Sequence, residues 1–157
     1  MSKNKTDMQH WLSLGAGVQS SAVLLMSCKG LLPKLDGAVF ADTGWEPKAV
    51  YEHLKWLKAE AESYGIPVHI LKGRNIKQDA LIGQVRGKKE DGVRWASMPY
   101  RTRNPDGTTG MIRRQCTTEY KIMPIEKFMK REILGLKKYA RAPKEPVIEQ
   151  WIGISTD

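Results

Sequence analysis

Cysteine is nearly absent. The 157 residues contain only Cys28 and Cys116, 88 positions apart and in no C-x-x-C pair. Two thiols alone hold neither an iron–sulfur cluster nor a cysteine-only zinc site, and a chain of this length needs no disulfide. Both are therefore expected to be reduced, with Cys28 packed on a helix. Histidine is as sparse: His10, His53 and His69 share no metal-ligand spacing, so packed or solvated roles are expected and no metal site built from protein side chains. No apolar run approaches the ~20 residues of a transmembrane helix. The N-terminus, Met1-Ser2-Lys3-Asn4-Lys5, leads into no apolar signal core. These absences imply a cytoplasmic chain with no membrane partner. No internal repeat or low-complexity tract occurs, and the length suits a single domain over 1–157 with a real core.

The charge that is present is unevenly placed. Residues 1–70 hold seven lysines against seven acids. Residues 71–150 hold 19 Lys or Arg against nine acids, including all nine arginines. Arginine is the better fork for phosphate, so the second half reads as a polyanion-facing surface and the first as scaffold.

Hydrophobic spacing divides the chain into alternating elements. Residues 8–14 read as a strand and 20–29 as a helix stopped by Gly30. Gly37-Ala38-Val39-Phe40-Ala41, within Asp36 to Asp42, is an apolar run of the buried-strand type. Val50, Leu54, Leu57 and Ala61 lie on one face of a helix over about 47–64, with Pro47 at its start and Gly65 and Pro67 as its stop. Val68-His69-Ile70-Leu71 reads as a third strand. Residues 83–110 carry glycines, basic residues and no apolar period, which predicts a functional or mobile loop. Ile122, Ile125, Phe128, Met129 and Ile133 predict a helix over about 121–135. A basic linker from Lys137 to Pro146 then leads to a closing strand at 147–154. The pattern predicts an α/β fold, a three-layer sandwich with a mostly parallel sheet.

The stretch Ser13-Leu14-Gly15-Ala16-Gly17-Val18-Gln19-Ser20-Ser21 turns the first strand into the first helix. Glycines admit close backbone approach, and the unpaired N–H groups and dipole of a helix N-terminus favour an anion. The hydroxyls of Ser20 and Ser21 add two donors and a natural N-cap. The loop lacks the third glycine of G-x-G-x-x-G, and no Gly-Lys-Ser/Thr follows it, so neither the dinucleotide nor the Walker pattern is met.

Asp42 ends the second strand, where it can cap the next helix or contact a nucleotide. Arg113, Arg114 and Lys121 read as a solvated basic turn or as a second phosphate contact. Cys116 sits among these cations, which lower a thiol pKa, but no histidine is near in sequence to act as its base. Trp95 and Tyr100, interleaved with Arg94, Arg101 and Arg103, could stack on nucleic-acid bases or anchor the loop to the core.

Three blocks in order carry a resemblance: Ser13 to Ser21, then Ala41-Asp42-Thr43-Gly44-Trp45-Glu46-Pro47, then Arg113-Arg114-Gln115-Cys116 with Lys121 and Pro124. Together the chain resembles the PP-loop ATP pyrophosphatases, in the branch that includes the phosphoadenosine phosphosulfate (PAPS) reductases. Their loop pattern is roughly S-x-G-G-x-D-S, and Gln19 stands where it has aspartate. The resemblance implies the Rossmann-like fold of the adenine nucleotide alpha hydrolase group. It implies ATP or a sulfonucleotide as substrate, with reaction at the α-phosphate and Mg²⁺ accompanying ATP. Ser13, Gly15, Gly17, Gln19, Ser20 and Ser21 would hold the phosphates or sulfonyl group, and Asp42, Thr43 and Gly44 would flank the nucleoside. Arg114 and Lys121 would neutralise developing charge. Cys116, apart from the resemblance, reads as a packed structural thiol, with a catalytic thiol among those cations as the alternative. The C-terminal cysteine segment of the PAPS reductases is not found, and relatives continue past Gly153-Ile154-Ser155-Thr156-Asp157. The chain thus reads as a truncated or minimal member. The alternatives are a nucleotide-binding module without turnover, or a subunit of a nucleic-acid-modifying, thiolation-type enzyme that docks its substrate on the basic 83–114 region.

Overall fold

Ala38, Val39, Phe40 and Ala41 offer apolar side chains to both sides of a strand, so the strand is stable only with cover on both faces. A computed structural model describes residues 8–85, 92–94, 101–111 and 117–155 and provides that cover. β1 (Gln9–Ser13), β2 (Gly37–Asp42), β3 (Val68–Lys72) and β8 (Ile148–Ile152) form a four-stranded parallel sheet in the order β3-β2-β1-β8. Leu12 lies beside Ala38 and Trp151, and Val39 beside His69. Strand alternation then sorts the core. Leu12, Ala38, Phe40 and Val68 face a cluster with Leu24, Leu54, Leu57 and Ala61, from α1 (Val18–Cys28) and α2 (Lys48–Ser63). Trp11, Val39 and Ala41 face the other way, onto Ile125 and Met129. The protein is an α/β fold with a parallel sheet, as the spacing predicts, and its topology is Rossmann-like, as the resemblance implies.

The covering helix on the second face is not uniform. Residues 117–133 wind as wide π-type turns at Thr117–Ile122, as α4 at Met123–Phe128, and as wide turns again at Met129–Ile133. Pro124 sits in the first turn of α4. Each wide turn carries one buried side chain inward, Tyr120 and Met129.

The predicted irregular stretch, 83–110, contains more order than its composition suggested. A short α3 (Ile76–Leu81) precedes it, and β4 (Gln84–Val85) pairs antiparallel with β5 (Val93–Arg94). β6 (Arg101–Arg103) pairs with β7 (Thr109–Met111) through the turn Asn104-Pro105-Asp106-Gly107. Gly107 takes φ 83° and donates to the Asn104 carbonyl at 2.9 Å, while Asp106 Oδ1 accepts from the Thr108 amide at 2.9 Å. Those bonds hold a ribbon that buries little: Arg101, Thr102 and Arg103 are all exposed. Among the described residues no helix is long and apolar enough to cross a membrane.

Candidate functional site

Strand order reverses between β1 and β8, because β2 and β3 build outward on one side of β1 while β8 lies on the other. In open parallel sheets such a reversal opens a crevice at the carboxyl ends of the strands. The β1–α1 loop crosses that edge. Leu14 still bonds β2, its amide donating to the Val39 carbonyl at 2.9 Å, after which the chain leaves the sheet.

The loop's hydroxyls do not take the places the sequence predicts. The N-cap of α1 is Gly17, which has no side chain to cap with. Ser20 Oγ accepts from the Gly15 amide at 3.2 Å and donates to the Gly17 carbonyl at 3.3 Å, so it ties the loop to its own helix. Ser21 Oγ meets His53 Nε2 at 3.0 Å and links α1 to α2. Both serines are buried. The exposed residues of the loop are Gly15, Gly17, Val18 and Gln19. Ser21 is the first residue whose amide closes a helical bond, onto the Gly17 carbonyl at 3.0 Å. The amides of Val18, Gln19 and Ser20 thus precede any intrahelical acceptor, at the positive end of the helix dipole. The Gln19 side chain is exposed and makes no hydrogen bond among the described residues.

Two glycines of this loop are not required by the fold. Neither Gly15 nor Gly17 has a positive φ; the residue that does is Ala16, at 53°. A Cβ on Gly17 would meet nothing within 4 Å, and one on Gly15 would make an ordinary 3.8 Å contact with Ser20 Oγ. Both residues are exposed. Gly153 is the opposite case. A Cβ there would stand 2.5 Å from the Ser20 amide nitrogen and 2.6 Å from the Gln19 carbonyl carbon. Its contact with the first turn of α1 went unread in the sequence, where no local pattern connects residues so far apart. Gln150 of β8 adds a hydrogen bond from Nε2 to Ser13 Oγ.

The second block sits one strand over. Asp42 Oδ1 accepts from the Gly44 amide at 2.8 Å and from the Tyr51 hydroxyl at 2.7 Å, which closes the turn after β2. Burial, and then the bond to Asp42, pushes the Tyr51 phenol above its ordinary pKa. Gly44 turns at φ 75° against the Asn75 side chain. Thr43 Oγ1 donates to Glu46 Oε1 at 3.0 Å, and Lys121 Nζ lies 3.4 Å from that same oxygen. The loop at Ser13–Ser21, the Asp42-Thr43-Gly44 block and Lys121 therefore share the carboxyl side of adjacent strands. Lys121 is there as the partner of a carboxylate. Arg113, Arg114, Gln115 and Cys116 lie outside the described residues, as do Trp95 and Tyr100.

The other chemistry-bearing side chains have structural partners. The His69 ring lies 4.9 Å from that of Phe128 and 5.7 Å from that of Trp11. Partial burial raises the pKa of the Cys28 thiol. Among the described residues no three His, Cys, Asp or Glu side chains converge on a common cation position. Mg²⁺ is commonly held by one or two carboxylates plus substrate phosphates; the carboxylates on this edge are Asp42, whose Oδ1 already accepts two hydrogen bonds, and Glu46, engaged by Thr43 and Lys121. No protein-family model, curated protein or solved structure matches the chain.

Proposed function

We propose that the protein binds an adenine nucleotide at the β1–α1 loop and acts as a PAPS reductase-like member of the PP-loop enzymes, at the α-phosphate of ATP or on a sulfonucleotide. The observation that carries this reading is the pair Gly15 and Gly17. Glycine is used where φ is positive, where packing is tight, or where a ligand must approach the backbone. The first two uses do not apply at these positions, and the N-cap place of Gly17 favours glycine only modestly. A phosphate lying against the exposed backbone supplies the third.

In this scheme the amides of Val18, Gln19 and Ser20 bind phosphate or sulfonyl oxygens, strengthened by the helix dipole. Ser20 and Ser13 act on the loop's shape, through the Gly15 and Gln150 bonds. The Gln19 carboxamide, a neutral donor where the pattern has a carboxylate, bonds a phosphate oxygen that a carboxylate would repel. Asp42, with Oδ1 held by Tyr51 and Gly44, keeps its other oxygen for a ribose hydroxyl or a phosphate-borne Mg²⁺. That ion would supply charge neutralisation at the phosphates. Lys121 exchanges Glu46 for the nucleotide's charge, and Arg114 joins it as pyrophosphate leaves. The test is release of pyrophosphate from ATP and Mg²⁺ with candidate acceptors. Nucleotide binding without any turnover would leave a binding module instead.

A second reading is favoured by the β6–β7 ribbon. Arg101 and Arg103 belong to β6, whose three residues are all exposed. Such an arm suits a nucleic-acid backbone, which would make the nucleotide reaction a modification of RNA or DNA.

A further inference from the structure

Among the described residues β3 is an edge strand, and between it and α4 lies a groove of about 560 Å³. That volume is within the range of small-molecule sites, roughly 300–1,000 Å³. Ile70, Met123 and Phe128 give it an apolar lining. Ile70 is 39% and Met123 56% exposed, while the Phe128 ring is fixed against Trp11 and His69. Four cations line the same groove, against Glu119 and Glu132. Two of the four are already engaged. Arg74 Nε lies 3.3 Å from Asp79, and Arg131 donates to the Leu136 carbonyl at 2.7 Å. Lys72 and Lys127 make no ion pair or hydrogen bond among the described residues.

We infer that this groove binds an organic anion: a phosphate, sulfate or carboxylate carried on an apolar, aromatic-sized body. The apolar lining gains by covering exposed Ile70 and Met123. Beside that lining the effective dielectric is lower than in water, so an anion gains more from the two free ammonium groups than it would at an open surface. Neither part suffices. An inorganic anion leaves the apolar surface wet, and a neutral apolar molecule leaves the lysines unused. The site is separate from the β1–α1 loop, with β2 between β3 and β1, and it does not depend on the nucleotide reading.

The probe is 1-anilinonaphthalene-8-sulfonate, an aromatic sulfonate, titrated into the full chain by fluorescence. N-phenyl-1-naphthylamine, its uncharged counterpart, is titrated in parallel. The sulfonate is expected to bind saturably at one site. The double variant Lys72→Gln, Lys127→Gln should weaken it about tenfold and the neutral dye by less than about twofold. Both lysines are exposed, so the variant should keep the wild-type melting temperature. Undiminished sulfonate binding by the double variant would overturn the proposal and leave Lys72 as a guard of an edge strand and Lys127 as a solvated helix residue. Equal losses for both dyes would overturn it too, since charge would then play no part. Displacement of the sulfonate by ATP from the wild type, but not from Gly17→Val, would put the dye at the loop and refute the groove.

Discussion

Gly153 lies so close to Ser20 that a side chain on it would stand 2.5 Å from the Ser20 amide nitrogen. The contact joins the residue after β8 to the first turn of α1, across the point where strand order reverses. The atoms it would strike are backbone, which cannot swing aside. Gly153→Ala should therefore cost roughly 1–3 kcal/mol in urea unfolding. If the proposed phosphate site is right, it should also weaken ATP binding, because the displaced peptide joins Gln19 to Ser20 in that loop. A variant that unfolds like wild type would show that the first turn yields freely.

The Ser21–His53 bond makes the contrasting prediction. Its hydroxyl points at α2, so it should matter for stability and not for ligand. Ser21→Ala leaves His53 without this partner and should cost about 1 kcal/mol, with ATP affinity unchanged. A loss of affinity larger than the loss of stability would return Ser21 to the phosphate site.

Gln19 tests what an uncharged side chain does in the loop. Gln19→Asp should weaken binding of Mg²⁺-free ATP by about tenfold, since two like charges then meet. Added Mg²⁺ should restore much of that loss. Equal affinities without Mg²⁺ would show that position 19 does not reach the phosphates.

Much of the fold was legible because it rests on short-range pattern. β2 could be read from five consecutive small or apolar residues, and α2 from Val50, Leu54, Leu57 and Ala61 between Pro47 and Gly65. The β6–β7 ribbon was missed for the converse reason. Arg101, Thr102 and Arg103 are all exposed, so no alternation marks them, although Asn104-Pro105-Asp106-Gly107 is a recognisable turn. The site divides the same way. The loop's position is visible in its glycines and its place between strand and helix. The partners of Ser20 and Ser21 are not, because a hydroxyl's choice among Gly15, Gly17 and His53 depends on where α2 packs. The contacts Gly153–Ser20 and Lys121–Glu46 depend on the whole sheet being assembled.

Alkaline pH reports on the Asp42 turn. The folded-state phenols of Tyr51 and Tyr120 are both raised, by burial first and then by their bonds to Asp42 and Asp79. A raised phenol stabilises the fold fully below the unfolded tyrosine value of about 10, and that contribution is lost as pH climbs through the folded value. Urea midpoints should thus fall above about pH 10. Tyr51→Phe should be less stable by about 1 kcal/mol at pH 8 and should fall less steeply above that window. Parallel pH curves for the two proteins would show that Tyr51 contributes nothing to the slope.

The nucleic-acid reading has a salt signature. If the β6–β7 ribbon contacts a phosphate backbone, affinity for a single-stranded oligonucleotide should fall steeply with salt. Replacing both Arg101 and Arg103 by Ala should then lower the slope of log affinity against log salt by roughly 1–2. A slope that does not change removes the ribbon from the interface.

The most direct test of the proposed nucleotide site is calorimetric titration of ATP into wild type and Gly17→Val. A Cβ at position 17 meets nothing within 4 Å, and φ −87° with ψ 175° is extended backbone that valine adopts readily. The melting temperature should therefore stay close to wild type while ATP affinity drops by about tenfold or more, because the added side chain occupies the space a phosphate needs. Wild-type affinity in the folded Gly17→Val protein would contradict the account and leave the loop as a strand-to-helix turn.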